Sequence, residues 1–570
     1  MSNNSKSDNP EQYDAIVIGT GITGGWAAKE LCENGLKTLV LERGRMVTHV
    51  KDYPTMNMDP WDFDYHGYAS KEDRKRQEKQ ARTGYTTGEA SKHWFVDDIV
   101  HPYNETKRFD WIRGYHVGGR SIMWARMSFR WSEMDFEANK KDGHGVDWPI
   151  RYKDLEPWYE KIERFVGISG KAEGLPQLPD SIFIPPIDLN CVEKELQKGV
   201  AENYDDRQII NGRIANLTGG EVREGRASCQ FRDRCIRGCP YGAYFSSNSS
   251  TLPAAEKTGN MTLRPNSVVH EIIYDDDKKL ATGVRIIDSE TNEKIEFFAK
   301  IIFVCASTIP STSILLQSKS KRFPNGLGND SGELGHNLMD HHFKVGATGI
   351  FDGHEEDYYK GRKPTGYFVP RFRNLNKKSE QANFIRGYGM QGGAIRNNWT
   401  RAIGKMSYGK QLKEDLLKPG DWQIGINCFG ECLPYHDNKM TLDYNKLDKW
   451  GLPTVDFDAE YKENEIEMRK DAEKQAVDML KKSGFKDVKS YNDPCYPGNG
   501  IHEMGTARMG RDPKTSVLNK NNQLHAVPNV YVTDGACMTS SASQNPSLTY
   551  MAITARAANH AAKEFKKYKK

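Results

Sequence analysis

A glycine-rich motif near the amino end constrains the fold more than any other feature of the sequence. Gly19, Gly21 and Gly24 form a GxGxxG motif directly after the continuous apolar run Tyr13 to Gly19, which is typical of a buried parallel strand. The first glycine permits a tight turn, the second lets the backbone approach a pyrophosphate, and the third lets a helix pack against the strand. The motif therefore predicts a strand, a turn and a helix N-terminus that can bind phosphate.

The residues that follow complete a strand–helix–strand unit. Residues 24–34 fit a helix, and a second strand over residues 36–42 (LKTLVLE) ends in Glu42. An acid at this place can accept hydrogen bonds from an adenosine ribose. A glycine string alone could be an ordinary turn, but the strand, helix, second strand and terminal acid in this order favour a dinucleotide site. We expect Glu42 and the adjacent Arg43 to contact the cofactor.

Two further segments favour FAD over NAD as that dinucleotide. A nicotinamide cofactor needs little beyond the first unit, whereas a flavin that stays bound needs more chain around its isoalloxazine and ribityl parts. One candidate segment is the loop GGRS at 118–121, and the other is the strand VYVTDG at 530–535, where Asp534 could hold a ribityl hydroxyl or a pyrophosphate-bound water. The predicted cofactor contacts are Gly19, Gly21, Gly24, Glu42, Arg43, Gly118, Gly119, Ser121, Val269, Asp534 and Gly535.

The composition argues against other classes of protein. The 570 residues carry a formal net charge of only +4, and basic residues are matched by acidic ones along the chain, which argues against a nucleic-acid partner. No apolar run reaches the length needed to cross a bilayer. We expect residues 1–12 to be a disordered leader. Because this polar leader lacks the apolar core of a secretory signal, the chain taken alone predicts a cytoplasmic location.

Strand and helix patterns in the rest of the chain indicate a nucleotide-binding domain interrupted by a second lobe. A stretch rich in Gly, Asn, Tyr and Lys, from about residue 346 to 450, indicates a separate sheet-based lobe. A charged amphipathic helix is predicted over residues 464–482, with Asn464 as its N-cap. The other predicted elements are strands at 261–264, 267–274, 281–288, 300–305 and 529–534, and a helix at 547–563.

Several segments together resemble the glucose–methanol–choline (GMC) oxidoreductase family. They are YDAIVIGTGITGGWAAKEL, GYHVGGRSIMWARM, WPIRYKDLEPWYEKIERFVGISG, GELGHNLMDHH, HEMGTARMG and NVYVTDGACMTSSASQNPSLTYMAITARAA. The resemblance implies an α/β fold, with a Rossmann-type FAD-binding domain assembled from discontinuous segments and an α+β substrate domain on a large antiparallel sheet. We expect residues 13–150, 227–345 and 490–570 to form the FAD-binding domain, and residues 151–226 and 346–489 to form the substrate domain.

The resemblance also implies oxidation of an alcohol at flavin N5 and identifies two active-site residues. His502, in IHEMGTARMG, matches the family's active-site histidine, and Asn545, in SQNPSL, matches a second position that is His or Asn among relatives. A base near the hydroxyl helps a hydride to leave, and histidine titrates near working pH. Asn545 can orient the alkoxide and is also expected to contact the flavin. On the residues alone, His502 could be a loop histidine and Asn545 a turn residue.

One departure from some sugar-oxidising relatives concerns the linkage of the flavin. Those relatives attach FAD through a histidine in a Ser-Thr-His-Trp segment, whereas this chain has Ser, Ile, Met and Trp at residues 121–124. The methionine, Met123, cannot form a histidyl bond. We therefore predict non-covalent FAD.

Three cysteines form a separate cluster in the sequence. Cys229, Cys235 and Cys239 have C-x5-C-x3-C spacing in ASCQFRDRCIRGCPYGA, and a turn-rich segment of this kind could hold an iron–sulfur cluster. The segment resembles one in bacterial FAD-dependent glucose dehydrogenases that carries a three-iron cluster, although the adjacent cysteine pair of that segment is absent. A 3Fe–4S cluster is therefore one prediction. A reduced structural loop and a zinc site completed by a histidine are the alternatives.

The overall pattern is similar to bacterial sugar-oxidising members of the family. We therefore predict a pyranose ring hydroxyl as the substrate, C3 of a glucoside ahead of C2 of a free sugar, with electrons passed to an acceptor other than O₂. Tyr388 and Gln391 are candidate pocket residues, while His341 and His342 are expected to be structural rather than metal ligands. The alternatives are a pyranose-type oxidase that uses O₂ and a flavin-dependent lyase with structural FAD.

Related dehydrogenases also imply partners for this chain. They often pair with a small subunit that carries the export signal, and they pass electrons to a cytochrome or a quinone. If the same holds here, the chain would be periplasmic through co-export with that subunit.

Overall fold

The structure is a computed structural model that describes residues 12–357, 361–362, 365–397 and 408–568. Of the predicted leader, residues 1–11 lie outside the described residues, and Gln12 begins the first strand. The α-helices of the described chain are α1 Ile22–Glu33, α2 Lys71–Arg76, α3 Glu133–Asp142, α4 Tyr152–Val166, α5 Cys191–Asn203, α6 Thr251–Glu256, α7 Thr308–Gln317, α8 Gly409–Leu417, α9 Glu463–Lys482 and α10 Ser547–Tyr568. Its strands are β1 Gln12–Ile18, β2 Thr38–Leu41, β3 Asn104–Glu105, β4 Ile168–Ser169, β5 Phe183–Ile184, β6 Ile210–Asn211, β7 Met261–Arg264, β8 Ser267–Asp275, β9 Leu280–Asp288, β10 Lys294–Val304, β11 Val345–Phe351, β12 Tyr367–Val369, β13 Tyr388–Arg396, β14 Trp422–Gly430, β15 Lys439–Leu447, β16 Pro453–Asp458, β17 Lys486–Asn492, β18 Gln523–Leu524 and β19 Val527–Val532.

The first large sheet is built around the strand that precedes the glycine motif. Its strand order is β18-β19-β10-β1-β2-β7, and the hairpin β8–β9 is attached to β10. The central strand β1 pairs in parallel with both β10 and β2, and β2 pairs in parallel with β7. The sheet therefore collects strands from three separated parts of the sequence. This arrangement confirms the Rossmann-type fold assembled from discontinuous segments.

Strand β10 is longer than the strand predicted at residues 300–305. Its first half pairs antiparallel with β9, and its second half pairs in parallel with β1. The first half alternates between exposed and half-buried residues, whereas Ile301 to Val304 are all buried. Only the second half has the continuous apolar run of a strand that is covered on both faces, so the sequence pattern identified that half alone.

Helix α1 follows β1 and is enclosed on most of its surface. It begins two residues earlier than predicted, at Ile22, and its residues from Thr23 to Cys32 are all buried. Helices α10 and α6 pack around it. Alanines of α1 and α10, among them Ala28 and Ala561, meet in one apolar cluster, and their small side chains allow the helices to approach closely. Helix α10 continues beyond its predicted end at residue 563, to Tyr568.

The second large sheet is antiparallel throughout and forms the floor of the second lobe. Its strand order is β17-β11-β14-β13-β12-β6. Alternate residues of β14, such as Ile424 and Ile426, are fully buried, as expected for a sheet with one covered face. Residues of α5 and α9, such as Leu196 and Met468, cover that face in one apolar cluster. The predicted large antiparallel sheet is therefore confirmed.

The predicted N-cap of α9 is wrong. The helix begins at Glu463 and Lys462 is its N-cap, so Asn464 lies inside the first turn. The Asn464 side chain instead accepts a hydrogen bond from the backbone N–H of Ile385 (2.9 Å). The carboxylate of Glu465 accepts the hydrogen bond of the Lys462 backbone N–H (2.9 Å). A tertiary contact has thus drawn the asparagine away from the capping role that its residue type favours.

Part of the predicted sheet-based lobe belongs to a third, smaller sheet. Strand β15 pairs with β16, and β16 pairs in parallel with β3, which comes from the amino-terminal third of the chain. These strands do not join the six-stranded sheet. The domain boundaries given above stay a prediction. Among the helices of the described residues, none combines the length and the apolar character needed to cross a membrane.

Candidate active site

A cavity of about 1050 Å³ is lined by residues of both large sheets. Its wall includes the turn after β1, the start of α1, and parts of β13 and β14. Of the predicted cofactor-binding and catalytic residues, Gly24 and Gly118 do not line this cavity. Those that do are Gly19, Gly21, Glu42, Arg43, Gly119, Ser121, Val269, His502, Asp534, Gly535 and Asn545.

The three glycines of the motif have different structural roles. A Cβ atom on Gly24 would lie 1.9 Å from the carbonyl oxygen of Gly19, so α1 can approach β1 only where no side chain is present. Gly19 itself has a φ of +100°, and its Cβ atom would lie 2.4 Å from the carbonyl oxygen of Cys305. Gly21 has no atom within 4 Å of the position of a Cβ atom. It therefore leaves open space beside the first turn of α1, whose N–H groups can bind a pyrophosphate.

Glu42 is buried just after β2, and hydrogen bonds from the glycine-rich turn fix its carboxylate. The carboxylate accepts hydrogen bonds from the backbone N–H of Thr20 (3.2 Å), from the Thr20 hydroxyl, and from the backbone N–H of Gly44 (3.0 Å). Burial raises the pKa of Glu42, and these hydrogen bonds oppose the rise. The acid that was predicted to contact a ribose is thus held at the edge of the cavity.

Arg43 is enclosed by aromatic rings on the cavity wall. Its guanidinium carbon lies 4.6 Å from the centre of the Tyr115 ring and 4.9 Å from that of Trp450. One Nη atom lies 3.6 Å from the carboxylate of Asp448. Within the described chain, the buried Nε of Arg43 and the buried Nδ1 of His101, which also lines the cavity, have no hydrogen-bond partner. Unpaired buried polar atoms beside a cavity are what a bound polar group would satisfy.

The GGRS loop at 118–121 is tied to the glycine motif by hydrogen bonds. The backbone N–H of Gly118 donates to the Thr20 hydroxyl (2.9 Å). The Ser121 hydroxyl donates to the Gly118 carbonyl (2.6 Å) and accepts from the backbone N–H of Ser247 (3.0 Å), whose hydroxyl donates to the Gly21 carbonyl (2.9 Å). Gly118 thus contacts the glycine motif through Thr20, while Gly119 and Ser121 line the cavity.

Asp534 and Gly535 follow β19 and close another part of the wall. The Asp534 carboxylate accepts hydrogen bonds from the Ser311 hydroxyl and from the backbone N–H of Ala536 (3.0 Å). Burial raises the pKa of Asp534 to about 6, although these hydrogen bonds oppose the rise. A Cβ atom on Gly535 would lie 2.3 Å from the Glu503 carbonyl oxygen. Val269 of β8 adds a nearly buried apolar side chain to the same cavity.

His502 and Asn545 lie side by side at the cavity. The Nδ2 atom of Asn545 is 3.3 Å from Nε2 of His502, and the Asn545 carbonyl oxygen accepts a hydrogen bond from the Gln391 side chain (2.6 Å). The amide therefore presents its N–H group to the imidazole. Two residues that are 43 positions apart in sequence are brought together as the predicted active-site pair.

A second histidine determines which nitrogen of His502 carries the proton. Nε2 of His341 lies 3.0 Å and 2.9 Å from the carbonyl oxygens of Ser541 and Ala542, which can only accept, so this nitrogen must donate. Burial lowers the pKa of His341, which favours the neutral ring. Its Nδ1 is then an acceptor, and it lies 3.0 Å from Nδ1 of His502. His502 must therefore donate from Nδ1, which leaves a lone pair on Nε2.

The environment of His502 keeps its ring neutral, so Nε2 stays unprotonated. The pKa of His502 is lowered well below its ordinary value. The main cause is burial, and the nearby His341 and Arg120 add smaller effects in the same direction. The backbone N–H of His502 donates to the Asp340 carboxylate (2.9 Å), which also accepts from Gly498 and Gly500 (2.8 Å each) and so fixes the loop. A neutral imidazole with an unprotonated Nε2 at a cavity has the properties of a general base.

The roles of Asp340 and His341 were not predicted from the sequence. Both lie in the segment GELGHNLMDHH, in which the histidines were expected to be structural. His342 fits that expectation, since its ring is buried and contacts the sulfur of Met468. His341 instead contacts His502 directly. The available signal was an acid and a histidine in a motif of the resembling family, but nothing in the sequence indicates that this segment lies beside residue 502.

Of the two candidate pocket residues, only Gln391 lines the cavity. The prediction for Tyr388 is wrong, because its ring is fully buried and its hydroxyl donates to Asp471 (2.6 Å) on helix α9. The two residues are three apart on β13, and side chains at odd separations in a strand point to opposite faces of the sheet. Gln391 faces the cavity together with Asn427, Phe343 and Phe429.

The three predicted metal-ligating cysteines line a separate cavity of about 30 Å³. Cys229, Cys235 and Cys239 are half-buried free thiols. Burial raises the pKa of Cys229 to about 11. Among the described residues, the one set of three metal-ligand atoms that all lie within 4.8 Å of one another is elsewhere, so these sulfurs are not arranged around a single ion. The iron–sulfur cluster stays a prediction.

The residues of the main cavity fit FAD. Gly21 leaves room for a phosphate group close to the backbone, and the first turn of α1 faces the cavity. The buried Nε of Arg43 can donate a hydrogen bond to a bound group. The cavity volume of about 1050 Å³ lies at the upper end of the range for ligand sites. Residues 19–22 would hold the pyrophosphate, Glu42 and Arg43 the adenosine end, and residues 119–121 and 534–535 the remainder.

Comparisons with known proteins agree with this site. Sequence models of the GMC oxidoreductase family match residues 13–343 and 434–554. The 2-methyl-1,2-propanediol dehydrogenase of Mycolicibacterium austroafricanum is 29% identical over 97% of this chain and 96% of its own. The fructose dehydrogenase large subunit of Gluconobacter japonicus is 26% identical over 96% of this chain and 97% of its own.

The fold also matches a solved structure. A formate oxidase from Aspergillus oryzae, solved in a study of FAD modification, superposes with a TM-score of 0.60 at 13% identity, over 98% of this chain and 100% of the other. At that identity the likeness concerns the fold alone. The two family models together cover most of the sequence, and the glycine motif, His502 and Asn545 lie within the matched residues. The chain belongs to the GMC oxidoreductase family.

Proposed function

We propose that this protein oxidises a CH–OH group of a sugar or related polyol, with FAD as the hydride acceptor and His502 as the base. The observation that carries the proposal is the pair of His502 and Asn545, with Nε2 of His502 3.3 Å from the Asn545 amide nitrogen, at the wall of a cavity that is also lined by Gly19 and Gly21 of the glycine motif. The relatives named above are dehydrogenases of a diol and of a sugar. Their reactions share the conversion of a carbinol to a carbonyl group.

The side chains of the site supply the proton half of this oxidation. Nε2 of His502 accepts the hydroxyl proton, and its Nδ1–H remains hydrogen-bonded to His341 (3.0 Å). Bound FAD supplies the other half, because its isoalloxazine accepts the hydride from the carbinol carbon. The substrate thus loses one proton and one hydride and becomes a ketone or aldehyde. Proton removal by a positioned base typically accelerates such a reaction about 10²–10⁴-fold.

Asn545 orients the substrate oxygen without adding a charge. Before proton transfer its Nδ2 group faces the lone pair on Nε2 of His502, and once Nε2 carries the hydroxyl proton the same amide can donate to the developing alkoxide. The hydrogen bond from Gln391 to its carbonyl oxygen (2.6 Å) prevents the amide from turning over. A fixed neutral donor stabilises the alkoxide without repelling a protonated His502.

A pyranose ring hydroxyl is the substrate group that we propose, C3 of a glucoside first and C2 of a free sugar second. The cavity offers the amides of Gln391 and Asn427, and the rings of Phe429 and Trp124. Amides can bind neighbouring hydroxyls in pairs, and aromatic faces pack against the apolar face of a sugar ring. This set supports a sugar over a small diol.

Electron transfer to an acceptor other than O₂ is the second part of the proposal. The two relatives reported above are dehydrogenases by name. With sugar and air, the purified protein should release little peroxide and should reduce an artificial dye or quinone. Stoichiometric peroxide production would show instead that the protein is an oxidase.

We propose that FAD is bound non-covalently, which is supported by Met123: this residue lines the cavity and stands where some sugar-oxidising relatives have the histidine of their covalent link. Acid precipitation should leave all of the flavin in the supernatant. Yellow colour that stays with the precipitated polypeptide would contradict this part of the proposal.

An iron–sulfur cluster on Cys229, Cys235 and Cys239 is a further proposal about electron transfer. The three thiols line one small cavity, and a bridged cluster can join sulfurs that are too far apart for one ion. Elemental analysis should find about three irons per chain and visible absorbance should persist after flavin reduction. Fully active protein without iron would exclude the cluster.

We also propose that the protein works with a partner that receives its electrons. One relative is named as the large subunit of its enzyme. The partner would be a cytochrome or quinone-linked protein, alone or with a small subunit that carries an export signal. Co-purification of the untagged chain from its native host, followed by mass spectrometry, would identify such a complex or find the chain alone.

The most informative test of the main proposal is anaerobic spectrophotometry against a panel of sugars, glycosides and small diols. A true substrate should bleach the oxidised flavin, and product analysis should identify the oxidised carbon. If no alcohol bleaches a flavin that dithionite reduces readily, the protein does not use FAD for oxidation, and a lyase role would be favoured instead.

A further inference from the structure

A cluster of metal-ligand side chains lies outside the active site, between helix α5 and the loop after β11. It consists of Cys191 and Glu195 from the first turns of α5, and His354 and Asp357 from the loop. The ligand atoms of Cys191, His354 and Asp357 all lie within 4.8 Å of one another. These residues are half-buried or exposed, so an ion could enter from solvent.

The helix presents its two side chains from a fixed frame. Cys191 and Glu195 are four residues apart, so they lie on the same face of α5. The Asn190 side chain accepts a hydrogen bond from the backbone N–H of Glu193 (2.9 Å), and Glu193 accepts one from the backbone N–H of Asn190 (2.8 Å). This reciprocal cap holds the first turn of the helix, and with it Cys191.

The loop is held as firmly from the other side. The guanidinium of Arg396, at the end of β13, donates to the carbonyl oxygens of His354 (3.3 Å), Glu355 (2.7 Å) and Asp357 (2.7 Å). The indole N–H of Trp422 also donates to the carbonyl oxygen of His354 (3.1 Å). Hydrogen bonds from two strands therefore fix the backbone that positions both loop ligands.

The imidazole of His354 is flanked by two carboxylates in an arrangement that is common around metal-binding histidines. Its Nδ1 lies 3.0 Å from Asp357 and its Nε2 lies 3.1 Å from Glu195. Metal-ligating histidines usually donate their other N–H to a carboxylate, which fixes the ring and its tautomer. Glu195 is placed to accept from Nε2, and this leaves Nδ1, which faces Asp357, as the nitrogen that can bind a metal.

We propose that Cys191, His354 and Asp357 bind a zinc-type divalent cation through the thiolate sulfur, Nδ1 and one carboxylate oxygen, with Glu195 as the residue that positions His354. Thiolate, imidazole and carboxylate are the usual ligands of Zn²⁺, and water would complete the four-coordinate site. Binding replaces the proton of the Cys191 thiol, which is released to solvent, and His354 binds as the neutral imidazole that keeps its proton on Nε2. The oxidation state of the metal and of the sulfur is unchanged.

The site would brace one wall of the main cavity. Asn190 and Glu193 next to Cys191 line that cavity, and so do Arg396 and Trp422, which hold the loop. A bound cation would join these two parts of the wall through its ligands. The role is structural and lies beyond the oxidation reaction proposed above.

Metal titration of the FAD-loaded protein, after treatment with a chelator, tests the proposal. Added Co²⁺ should bind at one equivalent, with the release of the thiol proton and with a thiolate-to-cobalt absorption band that depends on Cys191, and added Zn²⁺ should displace it and abolish the band. Cys191→Ser and His354→Gln should each remove that equivalent. Glu195→Gln should keep the site but weaken binding about 10–100-fold.

Cys229→Ser is the matched control, because it removes a thiol from the other cysteine cluster and should leave the Cys191-dependent equivalent intact. All variants should keep the flavin content of the parent protein, which monitors folding separately. If the cobalt–thiolate band is absent, or persists at full strength in both Cys191→Ser and His354→Gln, the four side chains form only an ion-paired cluster and the proposal is wrong.

Discussion

The proton positions on two imidazole rings determine what the active site can do. The carbonyl oxygens of Ser541 and Ala542 accept a hydrogen bond from Nε2 of His341. This contact determines which ring donates and which accepts in the hydrogen bond between His341 and His502. The result is a base nitrogen that needs no change of tautomer before it accepts a proton. The substitutions below separate the base itself from the residue that positions it.

Replacement of His502 should affect the chemical step and not the cofactor. In His502→Ala, the rate of anaerobic flavin reduction by substrate should fall about 10²–10⁴-fold, because the hydroxyl proton has no acceptor. FAD content should be unchanged. The control is His436→Ala, since the His436 side chain is 62% exposed and its loss should leave the rate intact. Near-normal flavin reduction in His502→Ala would remove this residue from the mechanism.

Replacement of His341 should change the turnover number more than the Michaelis constant. His341→Ala leaves the Nδ1–H of His502 without its acceptor, and the loss of one hydrogen bond should lower kcat about tenfold. His341→Asn should recover part of this loss, since an amide oxygen can accept the same proton. The pH profile of kcat distinguishes positioning from a structural effect, because its acid limb should shift in the alanine variant. Equal defects in both variants, with unchanged profiles, would contradict the assignment.

The pH dependence of flavin reduction should reflect the lowered pKa of His502. A group whose pKa is lowered stays unprotonated to a lower pH, so the base form persists where an ordinary histidine would already be half protonated, at about pH 6.5. The rate should therefore be flat from neutral pH down to about 6.5 and should fall only below that value. Rapid-mixing measurements with a slow substrate test this, and an acid limb centred above pH 6.5 would contradict it.

At the scale of elements, the strand–turn–helix unit β1–α1 combines two distinct requirements. One is close packing of the helix on the strand, which depends on Gly24. The other is open space for a ligand, which depends on Gly21. Because the two glycines are three residues apart on the same turn, their substitution by alanine makes a matched pair.

The Gly24→Ala variant should be less stable, whereas Gly21→Ala should bind FAD more weakly. A Cβ atom at residue 24 would lie 1.9 Å from the Gly19 carbonyl oxygen, and such overpacking typically costs about 1–3 kcal/mol. A Cβ atom at residue 21 meets no protein atom within 4 Å, and the φ of −65° suits alanine. Thermal unfolding of the two apoproteins and FAD titration measure the two effects. Equal loss of stability in both variants would contradict the distinction.

At the scale of the whole molecule, a buried charge network joins the second lobe to helix α3. Arg386, which precedes β13 and is 4% exposed, donates to Glu431 (2.6 Å), Asn139 (3.0 Å) and Asp142 (3.0 Å). Glu431 is itself only 1% exposed. A network of this kind holds two layers in one relative position, and removal of one member leaves a buried charge without its partner.

The Arg386→Met variant should therefore be strongly destabilised, by about 3–5 kcal/mol. The double variant Arg386→Met/Glu431→Gln should recover part of this loss, because no lone charge stays buried at residue 431. Urea-induced unfolding of the two variants and the parent measures the difference. A double variant that is less stable than the single one would show that Glu431 has other essential contacts.

Much of the architecture could be predicted from local sequence patterns. The continuous apolar run of β1, the glycine spacing, and the acid after β2 each follow from short-range physics, namely burial, turn geometry and helix packing. The first half of β10 was not predicted because its residues are largely half-buried or exposed. Asn464 was wrongly predicted as an N-cap because its side-chain oxygen accepts a hydrogen bond from the backbone N–H of Ile385. Where a distant contact competes with a local preference, the local pattern alone gives the wrong answer.

The sequence by itself determined the dinucleotide-binding unit, the family, and the residue types of the active site, because those depend on neighbours along the chain or on recognisable motifs. Only the tertiary structure decided that His341 contacts His502, 161 residues away, that Gln391 fixes Asn545 across 154 residues, and that Tyr388 is turned from the cavity. The physical reason is that proton positions and cavity walls depend on which backbone and side-chain groups meet in space. The separation of two residues along the sequence does not say whether their side chains come within hydrogen-bonding distance.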